Sequence, residues 1–184
     1  MLLDLIDLSK LRRAIVYGLL LGGVLILQNL IVFRFTLFGI HAMMVPAMVV
    51  AVGLFEGGVW GGFVGLAAGY FTDLGYTDHV VLFTILLPAL GFFIGALGKY
   101  MLQKGFVSYL VMTFAALALV AFCQMFRTLF LSGSDAETFR RLYYHGRYIW
   151  IVLRTGLLQT LWSLVWAVPV YFPCKIIAAS PLGH

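Results

Sequence analysis

From Ala14 to Phe33 the chain carries no charged side chain, and a helix needs roughly 20 apolar residues to cross a bilayer. Similar runs recur from about His41 to Phe55, Gly57 to Phe71, Val80 to Leu102, Phe106 to Leu131 and Tyr148 to Ile177. In hydrocarbon every backbone N–H and C=O must find its partner within the protein, so such runs fold as helices. They predict an all-α membrane protein with about six transmembrane helices in one compact bundle. The second and third runs are short for full spans. A full-length hairpin in a locally thinned bilayer is the preferred expectation, and a partly re-entrant pair the alternative. Pro169 and Pro173 are expected to kink or end the last helix.

Charge supports the same solvent. Only 10% of residues are charged, against roughly 25% in a soluble domain, so the chain cannot coat a globule with polar groups. No polar stretch is long enough to fold by itself, and residues 1–184 read as a single integral membrane domain. The net charge of +5 is spread beside the apolar runs, which suits anionic lipid headgroups rather than nucleic acid. The first run reads as a retained span, not a cleaved signal peptide. Ahead of it, residues 1–11 read as a short amphipathic segment on the membrane surface.

About six spans put both termini on one side. With the N-terminus inside, Lys10, Arg12, Arg13, Lys99, Lys104 and Lys175 fall on the inner side. Arg34, Arg127, Arg140, Arg141, Arg147 and Arg154 fall on the outer side. The basic cluster before the first helix decides for cytoplasmic termini, because that helix usually dominates orientation.

The third run carries a glycine series. Gly57, Gly61, Gly65 and Gly69 recur every four residues, and Asp73 continues the spacing. On a helix these positions form one slowly turning stripe without side chains. Helices in lipid associate where small residues let backbones approach, so the stripe predicts a tight helix–helix contact. Gly18 with Gly22, and Gly91 with Gly95, repeat the spacing in the first and fourth runs.

Glu56 and Asp73 bracket the glycine helix, as cap or loop carboxylates or as partners of a basic residue. Arg127 and Arg154 lie near the outer ends of the fifth and sixth runs, placed to snorkel to headgroups or to line an outer polar cavity. His41 and His79 lack an i, i+4 companion, and Cys123 and Cys174 lie in different runs, so neither pair reads as a metal site. Ser134 and Glu137 match a capping box that opens a short interfacial helix. That helix would gather Phe139, Leu142 and Tyr143 on one side, either to anchor it in the membrane or to dock a partner. No hydrolase, zinc-protease or phosphate-loop pattern occurs, so neither catalysis nor a cofactor is expected.

The run from Phe55 to Leu74, FEGGVWGGFVGLAAGYFTDL, resembles the central segment of the MreD family of rod shape-determining proteins. That family carries a glycine-spaced helix followed by an aspartate, matched here by Gly61, Gly65, Gly69 and Asp73. The segment from Arg154 to Ile177 resembles the family's final span, while the polar loop at 132–147 is longer than the family pattern. The resemblance implies a non-enzymatic partner of MreC in the bacterial elongasome. There the family works beside the glycosyltransferase RodA and its class B penicillin-binding transpeptidase in lateral peptidoglycan synthesis. It also implies a fold like the substrate-binding subunits of energy-coupling-factor transporters. A vitamin-binding subunit of that kind is the alternative function, with Arg34, His79, Arg127 and Arg154 as candidates to line an outward pocket.

Overall fold

The computed structural model describes residues 8–32, 34, 40–75, 81–100, 105–130 and 147–179, and it is all-helical. Helix α1 spans Leu8–Leu27 and continues as a π-helical turn over Gln28–Val32. Then come α2 (Val45–Glu56), α3 (Gly58–Gly75), α4 (Phe83–Tyr100), α5 (Phe106–Phe130) and α6 (Arg147–Ala179).

Among the described residues three stretches are long and apolar enough to cross a membrane: Leu11–Leu30, Phe106–Gln124 and Leu153–Ala179. Their outward faces carry large apolar side chains, such as Leu19 and Val107, each 72% exposed. A surface of this kind suits lipid tails better than water.

The helices alternate in direction. Arg13 near the start of α1 meets Glu56 at the end of α2. Gly58 at the start of α3 lies against Gly95 near the end of α4, while Gly69 lies against Phe83 at that helix's start. Tyr171, late in α6, stacks on Phe106 at the start of α5 and on Phe55 at the end of α2, with ring centroids 5.0 and 5.6 Å apart. Arg13, Glu56, Gly95, Phe106 and Tyr171 therefore share one end of the bundle.

Helix α2 sits at the centre. Every residue from Val45 to Leu54 is buried, the pattern of a helix that is apolar on all sides. Its neighbours are α3, α4, α5 and α6, with α1 touching it more lightly. The expected full-length hairpin fits α2 poorly, since a helix of 12 residues is only about 18 Å long. Non-helical residues 40–44 lead into it, and Pro46 is tolerated in its first turn because the N–H there lacks an intrahelical acceptor anyway. Pro169 and Pro173 do not end α6, which continues through both to Ala179.

Candidate functional site

A seam of glycines brings helix backbones into contact. A Cβ built on Gly65 would lie 2.5 Å from the Leu87 carbonyl oxygen. One on Gly61 would lie 2.5 Å from the Gly91 oxygen and 2.7 Å from the Cα of Gly53. Gly69 meets Phe83 in the same way, and Gly95 meets Gly58. Backbone thus touches backbone along α3 and α4, and at Gly53, Gly61 and Gly91 three helices converge. A methyl group at any of these positions would force helices apart, because the opposing atoms are main chain and cannot rotate away.

Three of the expected packing glycines behave otherwise. Gly57 forms the turn between α2 and α3 with φ at 100°, and a Cβ there would meet nothing within 4 Å. It is needed for its backbone conformation, not for close approach. Gly18 and Gly22 likewise have open space beside them, so among the described residues they line no contact. Gly53 completes the picture. It stands four residues before Gly57, so the four-residue period in fact starts in α2.

Polar side chains fasten the ends of the central helix. The Gln28 side-chain oxygen accepts from the backbone N–H groups of Met44 (2.8 Å) and Val45 (3.1 Å). The Ser163 hydroxyl accepts from the Met43 N–H at 2.9 Å. These bonds satisfy donors at the buried start of α2, where no water can replace them. Gln28 opens the π-helical turn that ends α1. The Tyr109 hydroxyl donates to the Ala167 carbonyl at 2.9 Å and lies 3.4 Å from the Ala47 carbonyl, tying α5 to α6 and α2. The adjacent amides Gln28 and Asn29 in an apolar run were the sequence signal for this cluster; Ser163 and Tyr109 offered none.

Glu56 is a paired carboxylate. Arg13 donates to its Oε2 at 3.0 Å and Tyr17 to its Oε1 at 2.8 Å. The Glu56 side chain is 8% exposed and sits at a helix C-terminus, where the dipole disfavours an anion, so the guanidinium offsets both costs. Asp73 caps a neighbouring helix instead. Its Oδ1 accepts from the Phe83 N–H at 3.1 Å, and its Oδ2 from the N–H and the hydroxyl of Thr84, each at 2.7 Å. Two first-turn donors of α4 that have no acceptor within their own helix are thereby met from another helix.

Arg34 and Arg154 are both exposed. Arg127 lies on α5, with its side chain outside the described set, and His79, Phe139, Leu142 and Tyr143 also lie outside the described residues. Both cysteines are free thiols, Cys174 buried and Cys123 partly so. Among the described residues no three His, Cys, Asp or Glu gather as metal ligands. Between α5 and α6 runs an open groove of about 210 Å³. Ala118, Ala121, Phe122, Gly156 and Leu157 are among the residues that line it. The Thr160 hydroxyl in its lining donates back to the Gly156 carbonyl at 2.9 Å, so the groove presents hydrocarbon. Comparison with protein-family models, with curated proteins and with solved structures returned no match.

Proposed function

We propose that this protein is a non-enzymatic scaffold of the bacterial cytoplasmic membrane, of the MreD kind. It would hold an MreC-like single-span protein beside a RodA-like glycosyltransferase and a class B penicillin-binding protein in lateral cell-wall synthesis. In this reading the chain makes about six crossings with both termini in the cytoplasm, in a bundle resembling the substrate-binding subunits of energy-coupling-factor transporters.

One observation carries the proposal. Most of the polar groups named above are spent on the fold: Gln28 and Ser163 on the lead-in to α2, Tyr109 on Ala167, and the part-buried Asp73 on the start of α4. The Thr113 hydroxyl and the Trp166 indole N–H are buried without a hydrogen-bond partner among the described residues. A small-molecule binder keeps a few convergent polar groups free for its ligand. Here Arg34 and Arg154, two of the candidates for such a pocket, are exposed. The glycine seam that gives the MreD-like segment its character also suits a rigid body against which other helices dock.

The test is affinity purification of the full chain from a rod-shaped bacterium with an MreC-like partner co-expressed. Co-purification with wild type and its loss in Leu142→Asp would place the outer loop in the interface, because a carboxylate there is desolvated without a partner. Retention of riboflavin, thiamine or biotin through purification, with no MreC-like partner captured, would overturn the scaffold reading in favour of the importer subunit.

A further inference from the structure

Helix α6 is fastened in two different ways along its length. Up to Ala167 it is pinned by hydrogen bonds. Ser163 accepts from the Met43 N–H at 2.9 Å, and the Ala167 carbonyl accepts from the Tyr109 hydroxyl at 2.9 Å. Beyond that point the helix is held by rings. Tyr171, only 3% exposed, has its ring centroid 5.6 Å from that of Phe55 in α2. The same ring lies 5.0 Å from Phe106 and 5.1 Å from Tyr109, both in α5. Cys174, about one turn further on, is fully buried.

A pair of prolines separates the two regimes. Pro169 and Pro173 lie inside α6, four residues apart. Neither has an N–H, so the carbonyls of Val165 and Pro169 lose their usual intrahelical donors close to the Ala167 pin. A helix bends most readily where that ladder is broken. Pro169 is on the exposed side of α6, so flexing there carries the following segment towards the core or away from it. The opposite side of that segment is open, with Phe172 56% and Ile176 69% exposed.

We infer that residues 170–179 form a hinged latch, which bends at Pro169 and Pro173 and is held shut by Tyr171 over the end of α2. The inference does not depend on the scaffold reading. The closed latch covers Phe55 and keeps Cys174 from solvent. Opening it separates ring contacts, while the hydrogen bonds at Ser163 and Ala167 stay in place to hold the rest of α6. Arg13 holds Glu56 from α1, so the end of α2 keeps its ion pair in either state.

Cys174 is a built-in reporter. In the full chain with Cys123→Ser it is the single thiol, and its rate of modification by N-ethylmaleimide in lipid nanodiscs reads how often the latch opens. The parent should react slowly, and completely once denatured. Tyr171→Ala should speed the reaction by about a hundredfold, the scale expected from emptying a buried aromatic site. Adding Pro169→Ala and Pro173→Ala to Tyr171→Ala should return the rate most of the way to the parent's, because an unbroken helix cannot swing at that point. Should Tyr171→Ala lose helix content by circular dichroism, Phe106→Ala loosens the same stack from α5 and takes its place. A rate unchanged by loss of the stack overturns the proposal. So does a fast rate that persists when both prolines are replaced, since Cys174 would then be reached through the hole left by the ring and not by movement of the segment.

Discussion

Arg13 donates to Glu56 across 3.0 Å, joining residues 43 positions apart at one end of the bundle. The carboxylate is nearly closed off, and Tyr17 holds its second oxygen at 2.8 Å. The pair ties α1, which otherwise touches the central helix lightly, to the end of α2.

Removing one partner should therefore cost more than removing both. Glu56→Ala is expected to lower stability by about 2 kcal/mol, since the half-buried guanidinium is left uncompensated. Arg13→Met combined with Glu56→Ala should recover part of that loss. Unfolding in mixed micelles, analysed as a double-mutant cycle, measures the coupling; additive losses would mean that the contact contributes nothing.

The glycine seam makes a sharper prediction. Gly65→Ala should sharply reduce the monodisperse fraction in detergent, because its methyl would overlap the Leu87 backbone. Gly18→Ala and Gly22→Ala should be tolerated, as both positions have open space beside them. Phe63→Leu should also be mild, for Phe63 is 69% exposed. Equal yields for all four variants in size-exclusion chromatography would remove the seam as the organising contact.

Asp73 should matter through the helix it caps. Asp73→Ala is expected to cost about 1–2 kcal/mol and to speed hydrogen exchange at the amides of Phe83 and Thr84. Asp73→Asn keeps one acceptor and should fall between. Faster exchange spread evenly over α3 and α4, with no focus at those two amides, would argue against the capping role.

Orientation is open to a reporter active only outside the cytoplasm. Fused at His184 it should be silent, and inserted within 132–147 it should be active. The reverse pattern would sink the assignment of cytoplasmic termini made from Lys10, Arg12 and Arg13.

Periodicity along the chain determined a good deal. Apolar runs with few charges dictate helices in lipid, and the four-residue glycine spacing dictates a bare stripe on α3, because both depend only on neighbours along one helix. Tertiary structure alone decided what meets that stripe. Gly61 lies against Gly91 and Gly53, while Gly18 and Gly22, with the same spacing, lie against nothing among the described residues. Small residues permit an approach without choosing the partner; that choice belongs to helices distant in sequence. The same holds for Glu56 and Asp73. Their positions at helix ends were legible, but one became an ion-pair partner and the other a cap because α1 and α4 happen to end beside them. Helix α2 shows the limit most clearly. Its run reads as a short span, yet its burial on every side follows from the helices packed around it, which no local pattern records.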